Sequence, residues 1–142
     1  KDAQKTAQAI DAQGWLHTND MGWRDEEDYY YLSGRGDDMI IRAGENISPE
    51  EVEQVLHSHP DIEEAALIGV PDPDWGQETL AVVVLKSGAQ ASAEQITDYC
   101  RQRLASFKCP KSVAFVDTLP RNPMGKVVRR VLRDQYGTAP VS

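Results

Sequence analysis

The chain has 142 residues, a formal net charge of −8, and 40% hydrophobic against 27% charged residues. That is enough for one modest core in the proportions of an ordinary soluble globular protein, and no apolar run approaches the roughly 20 residues of a membrane helix. The acidic balance argues against a nucleic-acid module, which depends on a basic footprint. Two cysteines, Cys100 and Cys109, are too few for a disulfide framework and fit a reducing cytoplasm. The start, Lys1-Asp2-Ala3-Gln4, has neither an initiator Met nor an apolar signal core, so the chain is expected to be part of a longer protein.

In chain order, Ala3 to Ile10 reads as the end of a helix stopped near Gly14. Short extended pieces follow at Trp15–His17, Met21–Arg24 and Tyr29–Ser33, with the acidic run Asp25 to Asp28 as a solvated turn. Met39 to Arg42 forms a strand, and Asn46-Ile47 returns as the other arm of a small hairpin. Ser48-Pro49-Glu50-Glu51 predicts a capped helix start, with Glu51 completing a capping box. That helix buries Val52, Val55 and Leu56 at helical spacing. Ala65–Val70 is a strand. Thr79–Leu85, apolar nearly throughout, is a central strand covered on both faces. Ser92-Ala93-Glu94-Gln95 is a second capping box, whose helix puts Ile96, Tyr99, Cys100 and Leu104 on one side. A strand over Ser112–Val116 and a last helix carrying Val127, Val128, Val131 and Leu132 complete the pattern. The fold class is therefore α+β: a small sheet of about three strands plus a β-hairpin, flanked by helices.

Four segments carry the chemistry: Gly14-Trp15-Leu16-His17-Thr18-Asn19-Asp20; Gly34-Arg35-Gly36-Asp37-Asp38-Met39-Ile40-Ile41 continuing through Gly44-Glu45-Asn46-Ile47-Ser48-Pro49; Val70-Pro71-Asp72 with Trp75-Gly76-Gln77; and Leu119-Pro120-Arg121-Asn122-Pro123-Met124-Gly125-Lys126. In this order and spacing they resemble the adenylate-forming superfamily of acyl- and aryl-CoA synthetases, luciferases and peptide-synthetase adenylation domains. The resemblance runs from Gly14 to Arg133. It implies the C-terminal lid of a larger enzyme that joins a carboxylate to the α-phosphate of ATP and then passes the acyl group to a thiol.

Lys126 lies in a loop stiffened by Pro120 and Pro123 and loosened at Gly125, and a lysine there is a mobile point charge suited to meeting negative charge. By resemblance it bridges the reacting carboxylate and the α-phosphate, a role typically worth about 10²–10³ in rate. The resemblance also raises reversible acylation of this lysine as a means of regulation. Asp20 and Arg35 resemble the pair that holds the nucleotide ribose, through a carboxylate acceptor and several guanidinium donors. Asn19 stands where the motif usually has Gly, and asparagine tolerates the left-handed backbone. Asp37 matches the hinge, flanked by the freely rotating Gly34 and Gly36. The resemblance therefore divides the chain into 1–36, the edge of the large AMP-binding domain, and 37–142, the mobile lid.

Gly44 lies in the loop that resembles the one facing the active site for thioester formation, and Glu45 beside it fits the CoA-ligase branch. Ile41 points the same way, standing where luciferases carry a functional lysine. Trp75, Phe107, Lys108 and Lys111 are candidates for the CoA nucleotide site, by stacking on adenine and meeting phosphates. Core packing is the competing reading for Trp75 and Phe107. Cys109 replaces a residue that is basic in some relatives, and Met124 replaces a common Thr or Ser. His57-Ser58-His59 has no third ligand at metal spacing and is expected to be a helix end. Cys100 is expected in the core.

The implied co-substrates are ATP and CoA with a carboxylic acid, and Mg²⁺ is assigned mainly to the missing large domain. The partner is that N-terminal large domain, with homo-oligomers left open. The chain ends at Ser142 without a phosphopantetheine-attachment domain, so a freestanding CoA ligase is preferred over an adenylation domain loading a carrier protein. A stand-alone nucleotide-binding or interaction module is the alternative from another class.

Overall fold

Two long strands with different residues on each face organise the larger part of the chain. The computed structural model describes residues 3–137. Lys1, Asp2 and the end at Ser142, on which the expectations about chain context rest, lie outside the described residues. The chain divides into two compact units, Lys1–Asp37 and Asp38–Ser142.

The first unit holds helix α1 (Ala3–Ala9) and an antiparallel hairpin of β1 (Asp20–Arg24) and β2 (Tyr30–Arg35). Asp25 Oδ1 closes the intervening turn by accepting the N–H groups of Glu27 and Tyr29, each at 2.9 Å. Trp23 and Tyr31 are directly opposite across the strands and stack with centroids 4.3 Å apart, the cross-strand aromatic pairing that stabilises a small ribbon. Trp15, Tyr30 and Leu32 remain exposed.

The second unit begins with a hairpin of β3 (Ile40–Arg42) and β4 (Glu45–Ile47), followed by α2 (Pro49–His57). Next come the antiparallel strands β5 (Ile62–Asp72) and β6 (Gly76–Leu85), then α3 (Ala93–Arg101). Strand β7 (Ser112–Phe115) runs parallel to β6, giving the sheet order β5-β6-β7, and α4 (Arg129–Tyr136) is the last element. The expected α+β class, with a three-stranded sheet plus a hairpin, is what forms.

Strand alternation separates two cores. Ala65, Leu67, Ala81 and Val83 pack with Val52 and Leu56 of α2 and Ile96 and Cys100 of α3. Ala66, Ile68, Leu80 and Val82 pack with Leu119 and with Leu132 of α4. Strand β6 is thus buried on both faces, as its unbroken apolar run requires. Gly69 lets the β3–β4 hairpin approach β5 closely, since a Cβ there would sit 3.1 Å from both Ile40 Cγ2 and Gln77 Cδ.

Several details differ from the sequence reading, β5 beginning already at Ile62 and β6 at Gly76. Strand β5 continues past Val70 because its pairing with β6 carries through Pro71 and Asp72, and an edge strand tolerates proline. The Ser92–Gln95 capping box forms, but the one at α2 does not. There the Ser48 hydroxyl donates to Glu50 at 3.1 Å, and Glu51 instead accepts from Lys108. Helix α4 starts only at Arg129, so Val127 and Val128 precede it. Leu132 is its buried residue, and Val131 is exposed.

Candidate functional site

The Lys126 loop is a small closed structure. Asn122 Oδ1 accepts the N–H groups of Met124 and Lys126, both at 3.0 Å, and the Asn122 N–H donates to the Lys126 carbonyl at 2.9 Å. Gly125 turns the chain at φ +82°, a left-handed conformation that favours glycine. Here that glycine provides the turn, and the N–H groups of Asn122, Met124, Gly125 and Lys126 are all hydrogen-bonded within the loop. Arg121 donates to the Gly125 carbonyl at 2.5 Å and pairs through its other nitrogen with Glu64 of β5. Arg121 and Val127 form a bridge, and Val128 N–H donates to the Pro120 carbonyl at 2.8 Å. On this rigid loop the Lys126 ammonium is exposed and makes no hydrogen bond or ion pair among the described residues. Met124 beside it is 81% exposed. The result is a free positive charge on a fixed backbone.

Immediately after the loop lies a charge network that sequence reasoning did not assign. Arg129 donates to both oxygens of Glu53, at 3.0 and 2.8 Å, and to Asp38 Oδ2 at 3.1 Å. Arg133 donates to Asp38 Oδ1 at 3.1 Å, and Glu50 lies 3.6 Å from Arg129. The side chains of Arg129 and Glu53 are only 17% and 13% exposed. Burial pushes the Glu53 carboxyl up, against the opposing pull of the Leu67 amide and Arg129. For Arg129, burial works against the charge, but Glu53 and Asp38 outweigh it and the guanidinium is held above its ordinary value. Glu53 also accepts the edge N–H of Leu67 at 2.8 Å, so α2, β5, α4 and the first residue of this unit share one knot. The available signal was Arg129 and Arg133 four apart on one helix face, matched by Glu50 and Glu53 on another.

Asp20 and Arg35 are brought together in the first unit. They are directly paired across β1 and β2, with Arg35 Nη1 3.3 Å from Asp20 Oδ1. Asn19 takes φ +62°, and its carbonyl accepts the Gly36 N–H at 2.8 Å, so asparagine supplies the left-handed turn without glycine. Asp37 is exposed and is the last residue of that unit.

Gly44 sits at φ +86° beside Ala43 at φ +52°, forming the two-residue turn between β3 and β4. Positive φ at both positions marks a type I′ hairpin turn. Nothing lies within 4 Å of a Cβ built on Gly44, so a side chain there meets only backbone strain. Glu45 is exposed next to it. Ala43 N–H donates to the Trp75 carbonyl at 3.0 Å, joining this turn to the Asp72–Gly76 turn. Trp75 is 49% exposed with the Arg42 guanidinium 5.3 Å from its ring centroid, and Arg42 is itself held by Glu78 at 2.8 Å. Phe107 packs against the first core cluster. Lys108 Nζ is 2.7 Å from both oxygens of Glu51. Lys111 projects an exposed side chain while its backbone N–H is held by Thr79 at 3.0 Å. The structure therefore joins Gly44, Glu45 and Trp75 along one surface, and ties Phe107 and Lys108 into the α2 side of the fold.

His59 is buried, its Nδ1 accepting the Asp61 N–H at 3.2 Å and its ring edge-on to Tyr99, in keeping with a helix end. Among the described residues no group of three or more His, Cys, Asp or Glu side chains is placed to hold a metal ion. Nor, among them, is any helix long and apolar enough to cross a membrane. Cys100 is fully buried, and burial pushes its thiol up to about 11.

Fold and site together define a small α+β domain that carries an exposed aromatic and, among the described residues, an exposed lysine without a side-chain partner. Residues 51–126 match the AMP-binding enzyme C-terminal domain, and the chain belongs to that family. It is 46% identical over 134 residues to a 3-[(3aS,4S,7aS)-7a-methyl-1,5-dioxo-octahydro-1H-inden-4-yl]propanoyl:CoA ligase of Rhodococcus jostii, covering 94% of this chain and 26% of that protein. It is 48% identical over 130 residues to the 2-succinylbenzoate–CoA ligase of Geobacillus kaustophilus, covering 92% and 26%. Among solved structures, ATP-bound MatB from Rhodopseudomonas palustris superposes with a TM-score of 0.87 at 41% identity, covering 95% of this chain and 27% of that one. The chain spans about a quarter of the length of the curated relatives it matches.

Proposed function

We propose that this chain is the lid of an ATP-dependent carboxylic acid–CoA ligase and works as part of a longer polypeptide. The observation that carries the reading is the exposed Lys126, without a side-chain partner among the described residues, on a loop braced by Asn122 and Arg121. In the first step a substrate carboxylate oxygen attacks the α-phosphorus of ATP, the bond to the bridging oxygen breaks, and pyrophosphate leaves with that electron pair. The Lys126 ammonium sits between the two anions, offsetting their repulsion and the charge on the α-phosphate oxygens, a preorganised electrostatic role. In the second step a thiol sulfur attacks the acyl carbon, the acyl C–O bond to the phosphate breaks, AMP departs with that electron pair and the thiol proton passes to solvent. Rotation about Asp37 exchanges the face presented, a hinge-type transition, which the division of the chain at this residue supports. Asp20 and Arg35 take the ribose, and their pairing across one hairpin supports that.

The thioester face uses Gly44, Glu45 and Trp75, where an exposed indole can stack on adenine. Lys111 and Lys108 meet the CoA phosphates, Lys108 by leaving Glu51, and Phe107 backs this wall from the core. The large domain supplies the acyl pocket, the phosphate loop and the ligands for Mg²⁺, in a cytoplasmic enzyme. A carrier protein as thiol donor is the second reading, favoured by 44% identity to a fatty acid–[acyl-carrier-protein] ligase of Streptomyces coeruleorubidus. The test is to incubate the full-length polypeptide with ATP, a panel of carboxylic acids, and either CoA or a phosphopantetheinyl carrier protein. Acid-dependent release of pyrophosphate and AMP with a CoA thioester is expected. Thioester on the carrier alone would select the second reading, and no acid-dependent pyrophosphate from any acid would reject both.

A further inference from the structure

The usefulness of Lys126 depends on the direction in which its side chain leaves the backbone. The Gly125–Lys126 peptide is held at both polar ends, with its carbonyl accepting from Arg121 Nη1 at 2.5 Å and its N–H donating to Asn122 Oδ1 at 3.0 Å. The next peptide is held through the Lys126 carbonyl, which accepts the Asn122 N–H at 2.9 Å. Both backbone torsions of Lys126 are therefore fixed, while its side chain stays free. Asn122 is part of the loop and moves with it. Arg121 is different, because its second nitrogen pairs with Glu64 of β5 and so ties the loop to the sheet.

We infer that Arg121 and Glu64 are positioning residues for Lys126: together they clamp the Gly125–Lys126 peptide to β5 and aim the lysine. Arginine suits this because its rigid planar fork serves a carbonyl and a carboxylate at once, which the single ammonium of a lysine does less well. Both side chains are substantially solvent-exposed, and such pairs contribute little to global stability. Removing the pair loosens the aim of Lys126 without unfolding the domain. The inference rests on the reading of Lys126 as the adenylation lysine.

The experiment compares Arg121→Ala, Arg121→Lys, Glu64→Ala and Lys126→Ala in the full-length ligase that carries this segment. Pyrophosphate release, thioester formation from preformed acyl-adenylate and thermal unfolding are measured for each. Arg121→Ala is expected to slow adenylation about 10- to 100-fold, the scale of a misplacement near 1 Å. Glu64→Ala is slowed to a lesser extent and Arg121→Lys partly recovers, while the thioester step and the unfolding temperature stay at wild type. Wild-type adenylation in Arg121→Ala beside a dead Lys126→Ala would overturn the clamp and leave the lysine's role standing. A slow Arg121→Ala with a fully active Glu64→Ala would also overturn it, since Arg121 would then act on the substrate directly. Equal loss in both steps with a lowered unfolding temperature would reduce the pair to a structural one. Full adenylation by Lys126→Ala would instead remove the reading beneath the inference.

Discussion

The two cationic regions on either side of Val128 use charge in opposite ways. Arg129 is largely buried, and Glu53, Asp38 and Glu50 surround it. Lys126, three residues earlier, has a fixed backbone and an ammonium with no partner among the described residues. A buried charge must be fully paired or its desolvation goes uncompensated, so Arg129 is committed to the scaffold. An exposed charge on a rigid loop keeps its hydration until a ligand replaces it, so Lys126 remains available. The contrast shows that local sequence basicity alone does not mark a site: of the neighbours Arg121, Lys126, Arg129, Arg130 and Arg133, three arginines are paired, while Lys126 and Arg130 have no partner among the described residues.

The sharpest way to break this comparison is to truncate Arg129. Arg129→Ala leaves Glu53 without its ion-pair partner and Asp38 with Arg133 alone, in a largely buried setting, and should cost about 3 kcal/mol, the lower end of the range for breaking such pairs. Urea unfolding checks this, and a loss below about 1 kcal/mol would place Arg129 with ordinary surface pairs. Next in size is a pH effect from the core. Cys100 has its thiol raised from 9.0 to about 11 in the folded state. Its contribution is fully present below pH 9 and is lost as pH rises towards 11, because the unfolded thiol ionises first. A rise of that size corresponds to about 2–3 kcal/mol. Unfolding midpoints of the wild type and Cys100→Ser, compared between pH 8 and 11, should converge over that window.

A smaller effect separates the two predicted capping boxes. Ser92→Ala removes a formed cap and should cost about 1 kcal/mol. Glu51→Ala removes no cap and should cost less, at the level of an exposed ion pair. Urea unfolding of the two variants side by side checks the order.

The apolar run of β6, the α3 capping box and the β3–β4 turn were all legible in the sequence because each is a local rule expressed within a few residues. The left-handed Asn19 was equally readable, since asparagine is one of the few side chains that accept that conformation. The start of α4 was not. Its valines suggested an earlier helix, but Arg129 is placed by carboxylates on α2 and at Asp38, far away in the chain. The same holds for Glu51, which local pattern assigned to a cap and Lys108 captures. At Lys126, the loop's prolines gave the position and some stiffness, but not the bracing by Asn122 and by Glu64 from a distant strand.

The most direct measurement concerns the lysine itself. In the full-length enzyme, Lys126→Ala should lower acid-dependent pyrophosphate release by about 10²–10³. It should still form thioester from preformed acyl-adenylate at the wild-type rate, with stability within about 0.5 kcal/mol of wild type. Unchanged pyrophosphate release, or equal loss of both steps, would contradict the assignment of Lys126 to the first step.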